Sequence, residues 1–389
     1  MSRIPPPAPR AHFPLRSSST SKTREDGSHE SYGYDSGDRL RTVDYGTAKH
    51  VEYGVDALGN RVLEDVTTSP STGLVRNGGT FNGFNQLMKT GGPGSSFPQT
   101  NFGYDFNGNL LTETTGTDVK SYAWDKDNRL KSVTPPTGTP TTYSYNTKGL
   151  RVQRVDGTGT TKYLLDGPSV LEELDAANAP TTRFMNNPQM IDEVLAYKRG
   201  GASEYPLADA LGSIYAATDA SGAVVHRYEF DVFGARTDLG GSGPGLDVGY
   251  TGRWHDATGL INNGKRQRNP LLGSWLQADP MGMVDGPNLY NYVGNQPTMA
   301  TDPTGQFTLP IANVLAGGAF ESSMGAALMY LERGLYADDE SGDAGYLFAL
   351  AAVATAVKGP ATCTAEELKL AKKVGLNADS ATTVQIMKS

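Results

Sequence analysis

Apolar and polar residues alternate over short stretches of the chain, as in Lys120–Trp124 and Thr142–Tyr145. A two-residue period of this kind is typical of a half-buried β-strand. The stretches are separated by sequences such as Asp-x-x-Gly-Asn, in which the Asp side chain can cap its own backbone and Gly or Asn tolerates a positive φ. The pattern therefore predicts many short strands joined by tight turns.

The acid or amide that opens these turns recurs along the chain, with gaps of 21, 26, 23, 20, 21 and 20 residues. An aromatic residue precedes the turn and an aliphatic residue follows it, so the two are expected to pack across a hairpin. Because a single hairpin is marginally stable, the units are expected to stack edge to edge into a long sheet. The positions are Asp35, Asp56, Asn82, Asp105, Asp125, Asn146 and Asp166.

Composition supports this class of fold. The 389 residues include 47 glycines and 23 prolines. Glycine costs about 1 kcal/mol at a helix-interior position, so a helical bundle is disfavoured. The glycines follow no three-residue period, which excludes collagen. A mainly β fold of stacked hairpins is predicted, and a sandwich of unrelated hairpins is the alternative.

Charge and ligand chemistry exclude several functions. The chain has 34 basic and 42 acidic residues and a net charge of −8, so no general affinity for nucleic acid is expected. Its one cysteine, Cys363, rules out an intrachain disulfide framework and a multi-cysteine metal site. The histidines suggest neither a zinc site nor a catalytic triad, so no metal and no cofactor are predicted. They are His12, His29, His50, His226 and His255.

Residues 1–30 are rich in Pro, Ser and Arg and are predicted to be a disordered arm. They contain no apolar run of the length that an ordinary secretory signal needs. If the protein leaves the cell, we expect it to do so without an ordinary cleavable signal peptide in this chain.

Two further segments carry the pattern of a known family. Residues 205–234 contain the runs Asp-Ala-Leu-Gly-Ser, Thr-Asp-Ala-Ser-Gly and Arg-Tyr-Glu-Phe-Asp-Val-Phe-Gly. Residues 250–305 contain Tyr-Thr-Gly-Arg, Asn-Leu-Tyr-Asn-Tyr-Val-Gly-Asn-Gln-Pro and two Asp-Pro-x-Gly sequences. Together with the hairpin units, these motifs resemble the tyrosine-aspartate repeats and associated core of the Rhs family of bacterial polymorphic toxins. The C components of insecticidal toxin complexes are similar.

The resemblance implies a hollow β-shell, of which this chain would form a part. About seven repeats precede the core, too few to enclose a cavity alone, so the chain is expected to be a piece of a longer protein or to associate. The expected divisions are the arm at 1–30, tyrosine-aspartate repeats at 31–170, a further repeat region at 171–249, the associated core at 250–305 and a variable helical region at 306–389.

The two Asp-Pro-x-Gly turns begin at Asp279 and Asp302, 23 residues apart. Proline and glycine can fix such a turn and hold its Asp rigidly. Two carboxyls brought close cannot both ionise easily, which is the basis of an aspartic-protease pair. In Rhs relatives the two aspartates and an arginine cleave their own chain, and by similarity that arginine is Arg266. Cleavage is then expected between Gln306 and Phe307, with Gln306 where the family usually has leucine.

Other interpretations of these residues stay open. Both Asp-Pro-x-Gly sequences could be ordinary turns without chemistry. The whole chain could instead be a non-enzymatic surface module that binds carbohydrate or protein through exposed rows of Tyr and Trp. If the two aspartates do cleave the chain, the protein is a single-turnover autoprotease that acts on no outside substrate.

Composition changes after residue 305, where alanine-rich sequence predicts helices at Leu315–Leu331, at Tyr346–Val357 and from Thr364. The family carries a variable effector here, often a toxin. This tail has no histidine, one cysteine and a net charge of −3 from nine acids and six bases, which argues against a zinc-dependent or nuclease activity. A short helical remnant without activity is the alternative.

The expected partners follow from the resemblance. They are the chain's own C-terminal effector, a delivery or secretion machinery and an immunity protein, with no nucleic acid. The expected location is outside the cell or at its surface.

Overall fold

The computed structural model describes residues 21–23, 27, 29–68, 74–187, 192–242 and 245–310. The predicted C-terminal helices and most of the predicted N-terminal arm lie outside these residues. The described part is built of β-strands and three 3-10 turns, and it contains no helix long and apolar enough to cross a membrane. The mainly β fold predicted from the sequence is confirmed.

The first 21 strands form a continuous meander, in which each strand pairs antiparallel with the next one along the chain. Their bounds are β1 Ser21–Thr23, β2 His29–Tyr34, β3 Leu40–Tyr45, β4 Lys49–Val55, β5 Arg61–Thr68, β6 Leu74–Phe81, β7 Leu87–Thr90, β8 Thr100–Tyr104, β9 Leu110–Thr115, β10 Asp118–Trp124, β11 Leu130–Thr134, β12 Thr141–Tyr145, β13 Arg151–Asp156, β14 Gly159–Asp166, β15 Ser169–Leu174, β16 Pro180–Asn186, β17 Val194–Arg199, β18 Ala202–Ala208, β19 Ile214–Thr218, β20 Val224–Phe230 and β21 Arg236–Gly241.

The hairpin units follow the predicted chemistry. The aromatic residue before a turn is the cross-strand partner of the aliphatic residue after it, as for Tyr104 with Leu110 and Trp124 with Leu130. In the intervening turn, Oδ1 of Asp105 accepts hydrogen bonds from the backbone N–H groups of Asn107 (2.9 Å) and Asn109 (2.8 Å). These contacts satisfy turn donors that no strand can reach.

The seventh predicted unit differs in its turn. Asp166 is the last residue of β14 and pairs with Ser169, the first residue of β15. Only Gly167 and Pro168 lie between them, and Gly167 has a φ of +57°. A two-residue hairpin turn therefore replaces the five-residue turn of the other units. Such a turn requires a glycine with a positive φ and does not require an aspartate to cap the backbone.

The sheet curves strongly along its length. Lys22 in β1 forms an ion pair with Asp209 in the turn after β18, with Nζ and Oδ2 2.8 Å apart. Seventeen strand spacings separate β1 from β18 along the meander, which corresponds to about 80 Å in a flat sheet. The predicted disordered arm is wrong for Ser21–Thr23, because the backbone of this short strand pairs with that of β2.

The segment 245–310 packs against the sheet as a separate core. It contains a four-stranded sheet of β22 (Trp254–His255), β23 (Ile261–Asn263), β24 (Arg266–Asn269) and β25 (Ser274–Trp275), the 3-10 turns Tyr250–Gly252, Met283–Asp285 and Val293–Asn295, and the pair β26 (Ala300–Thr301) and β27 (Leu309–Pro310). Because β27 pairs with β26, the core extends beyond the predicted boundary at residue 305.

Tyrosine side chains form hydrogen bonds between the core and the hairpins. The hydroxyl of Tyr143 donates to Oδ2 of Asp256 (2.7 Å), and the hydroxyl of Tyr290 donates to the carbonyl of Gly108 (2.9 Å). Among the described tyrosines and tryptophans, only Tyr205 is exposed. The expected exposed rows of Tyr and Trp are therefore wrong for this part of the chain, because the core and neighbouring strands cover those faces.

Candidate functional site

Asp302 opens a turn with the same chemistry as the repeat turns. Its Oδ1 accepts hydrogen bonds from the backbone N–H groups of Gly305 (2.8 Å) and Gln306 (3.1 Å). Gly305 has a φ of +71°, which a residue with a Cβ adopts only with strain. The predicted Asp-Pro-Thr-Gly turn is thus present, and one oxygen of Asp302 is used to hold it.

The residue that closes this turn behaves differently from its counterparts in the repeats. In the repeat turn at Asp105, the side chain of Asn109 donates to Oδ2 of the Asp (2.8 Å). Gln306 instead directs its Nε2 toward Sδ of Met281 (3.5 Å), and its buried Oε1 has no hydrogen-bond partner among the residues that the structure describes. Oδ2 of Asp302 is consequently free to bind a different group.

Asp279 lies in the other Asp-Pro-x-Gly turn. Its Oδ1 accepts a hydrogen bond from the N–H of Met281 (2.7 Å), and the N–H of Gly282 donates to its backbone carbonyl (3.1 Å). Gly282 has a φ of +68°. As at Asp302, the turn uses one carboxylate oxygen and leaves Oδ2 for another partner.

Arg266 in β24 brings the two aspartates together. Its Nη1 lies 2.8 Å from Oδ2 of Asp279, and its Nη2 lies 3.0 Å from Oδ2 of Asp302. Its Nε donates to the carbonyl oxygen of Gly305 at 2.5 Å. The guanidinium stacks over the ring of Trp275 at 4.0 Å, so its plane is fixed. The three residues singled out in the sequence therefore form one cluster.

Burial dominates the electrostatics of the cluster. It raises the pKa of Asp279 to about 6, although Arg266 acts in the opposite direction. Burial also raises the pKa of Asp302, again against the effect of Arg266. The negative charge of Asp285 raises both pKa values further. Exposure differs between the pair, since Asp302 is 1% exposed and Asp279 is 9% exposed.

The predicted cleavage residues lie beside this cluster. Gln306 and Phe307 are both buried, and Gln306 is held by Asp302 through its backbone N–H. The next residue, Thr308, is bound by Asp285, which sequence reasoning did not single out. No motif marks Asp285, because its contact joins the loop after the first Asp-Pro-x-Gly turn to the chain after the second.

This arrangement is suited to acid–base chemistry on a backbone amide. A carboxyl with a pKa near 6 can hold or release a proton close to neutral pH. The adjoining arginine polarises the carbonyl of Gly305, which belongs to the peptide bond before the predicted cleavage site. Among the described residues, no group of three or more His, Cys, Asp or Glu is placed to hold a metal ion.

The fold and cluster define a class of β-hairpin repeat protein whose curved sheet packs on a core with a buried Asp-Arg-Asp group. The RHS Repeat family model matches residues 124–161. This chain belongs to the Rhs family, as its motifs predict.

Curated relatives match larger or more similar parts of the chain. The tRNA3(Ser)-specific nuclease WapA of Bacillus spizizenii is 31% identical over 274 residues, which are 68% of this chain and 11% of that protein. Toxin subunit YenC2 of Yersinia entomophaga is 52% identical over 62 residues, which are 16% of this chain and 6% of that protein. The chain thus spans about a tenth of the length of this WapA nuclease.

One solved complex contains a chain that aligns with part of this protein. The crystal structure of TcdB2-TccC3-Cdc42 aligns with 74% of this chain and 19% of that chain, at 17% identity and a TM-score of 0.41.

Proposed function

We propose that this chain is a segment of an Rhs-type shell that cleaves itself between Gln306 and Phe307 and so releases the C-terminal region. The observation that carries this proposal is the single guanidinium of Arg266, which contacts Asp279, Asp302 and the carbonyl of Gly305. An ordinary pair of turns has no need of a buried cation shared by two carboxylates, because burial of charge is costly.

The two aspartates have different tasks in the proposed reaction. Asp302 uses Oδ1 to hold the turn and Oδ2 to bind Arg266, so it positions the peptide. Asp279 is the more exposed carboxyl, and in its protonated form it donates a proton to the carbonyl oxygen of Gln306. The water oxygen bonds to the carbonyl carbon of Gln306 and transfers a proton to the carboxylate of Asp302. The bond from that carbon to the nitrogen of Phe307 then breaks, the nitrogen takes up the proton held by Asp302, and the proton on the carbonyl oxygen returns to Asp279.

Release of the C-terminal region gives the chain its biological role in this proposal. Two relatives bear the names of a tRNA nuclease and a toxin subunit, which are compatible with a toxic effector carried next to an Rhs core. The released effector would act outside the producing cell, after export by a delivery machinery, and an immunity protein would protect the producer. In this proposal the described core takes no part in export or in protection of the producer, and its task is to cleave the chain.

Intact-mass analysis of the purified full chain tests the proposal. We expect two polypeptides, with masses that place the cut between Gln306 and Phe307. Asp279→Asn and Asp302→Asn should each give one uncut chain. Asp105→Asn is a matched control, because Asp105 caps the same kind of turn and other repeats use Asn82 or Asn146 there. An uncut parent, or cutting that persists in both Asn variants, would contradict self-cleavage.

A further inference from the structure

Asp285 contacts the chain beyond the proposed cut and has no part in the bond-breaking steps. It ends the 3-10 turn Met283–Asp285, and its Oδ2 accepts hydrogen bonds from both the backbone N–H (2.7 Å) and the hydroxyl (2.8 Å) of Thr308. No basic side chain forms an ion pair with Asp285 in the part of the chain that the structure describes. Its carboxylate is therefore committed to Thr308.

Thr308 is the second residue beyond the proposed cut. On the near side of that cut, Oδ1 of Asp302 holds the N–H of Gln306. On the far side, Asp285 holds the N–H of Thr308, and Leu309 pairs with Thr301 between β27 and β26. The peptide bond in question is thus fixed at both ends by carboxylates from two different turns.

Fixing both ends has a chemical consequence. Hydrolysis requires the carbonyl carbon of Gln306 to stay within reach of a positioned water, and displacement by about 1 Å can cost on the order of 100-fold in rate. Phe307 and Leu309 are buried on either side of Thr308, so the short segment is held by apolar packing as well as by the hydrogen bonds to Asp285. Together these interactions hold the segment after the cut in position.

We propose that Asp285 is a positioning residue of the self-cleavage reaction, which holds Thr308 so that the bond between Gln306 and Phe307 stays aligned with Asp279 and Asp302. The inference rests on the proposed self-cleavage. Asp285 does not touch the reacting atoms. It acts through Thr308, and its negative charge also favours a protonated carboxyl in the neighbouring pair.

Single-turnover cleavage of freshly translated full-length chain tests this role. Asp285→Ala should slow the first-order rate on the order of 10- to 100-fold. Asp285→Asn keeps an oxygen that can accept from Thr308, so it should cut faster than Asp285→Ala. Its rate should fall off at a lower pH than in the parent, because the charge that raises the pKa of Asp279 is gone. Thr308→Val removes one of the two hydrogen bonds and should give an intermediate rate.

Asp118→Ala is the control, since Asp118 is exposed at the start of β10 and should not affect the rate. Hydrogen exchange at the Thr308 amide, measured in uncut Asp279→Asn chain, gives a second readout, and Asp285→Ala should accelerate it there. If the parent cuts but Asp285→Ala cuts equally fast, the positioning role is wrong and self-cleavage stands. If the parent does not cut, self-cleavage fails and this inference fails with it.

Discussion

The Nε of Arg266 lies 2.5 Å from the carbonyl oxygen of Gly305, three residues after the aspartate that the same guanidinium binds. One side chain therefore closes the turn at Asp302 from outside and fixes the peptide that precedes the proposed cut. A planar guanidinium can do this because its donors point in several fixed directions, whereas a lysine ammonium is a single point charge.

Replacing Arg266 with Met should stop cleavage and leave two buried carboxyls without their cation. We expect the double variant Arg266→Met/Asp302→Asn to be more stable than Arg266→Met alone by about 1–3 kcal/mol, because it removes a buried group that has lost its partner. Both variants are expected to stay uncut, so urea denaturation compares the unfolding free energies of two full-length chains. A double variant that is less stable than the single one would contradict the role of Arg266 as the counter-ion of Asp302.

The rate of cleavage should decrease as pH rises above about 6, because burial raises the pKa of Asp279 to about 6. Above that pH the pair loses the proton that it must donate during the reaction. The charged groups that act on Asp279 are Arg266, which lowers its pKa, and Asp302 and Asp285, which raise it. A pH-jump series on newly translated chain measures the effect, with Asp105→Asn expected to follow the parent. A rate that is constant from pH 5 to pH 8 would show that no such proton is needed.

Local chemistry explains which parts of the fold could be predicted. Asp105 caps the backbone only two and four residues away, so the Asp-x-x-Gly pattern contains everything that its turn requires. The same pattern identified Asp279 and Asp302. Their association with Arg266 came from family resemblance, since the sequence does not show that β24 lies between two turns.

Contacts between distant segments could not be predicted in this way. Lys22 with Asp209 depends on the curvature of the whole sheet, and Asp285 with Thr308 depends on how two turns pack together. Alternation showed which aromatic side chains share a face of the sheet. It did not show that the core covers that face, as Tyr143 and Asp256 demonstrate, and the expected exposed aromatic rows were wrong for this reason.

Gly305→Ala should destabilise the core strongly. A Cβ at Gly305 would lie 2.4 Å from the carbonyl oxygen of Asn263 and 2.7 Å from the backbone nitrogen of Arg266. Gly259→Ala is a matched control, because Gly259 also has a positive φ, +80°, but a Cβ there would meet no atom of the described residues within 4 Å. In uncut Asp302→Asn chain, Gly259→Ala should lower the unfolding free energy by about 1–2 kcal/mol.

Gly305→Ala should lower the unfolding free energy by a further 1–3 kcal/mol or so, because backbone atoms rather than flexible side chains must move. Equal losses for the two variants, measured by urea denaturation, would show that the contacts around Gly305 relax without cost.

Gln306→Leu should stabilise the core, unlike most substitutions of a buried residue. Within the described part of the chain, Oε1 of Gln306 is buried without a hydrogen-bond partner, and its Nε2 has only the thioether of Met281 at 3.5 Å. Leucine removes the unpaired polar atom, so the unfolding free energy in uncut Asp279→Asn chain should rise by about 1–3 kcal/mol.

Gln277→Leu is the control and should have the opposite effect, because Oε1 of Gln277 accepts from the N–H of Gln267 (3.0 Å) and its Nε2 donates to the carbonyl of Lys265 (3.2 Å). That substitution leaves buried backbone groups unpaired and should lower the unfolding free energy. If both leucine variants shift the urea midpoint in the same direction, the unpaired amide of Gln306 is not a source of instability.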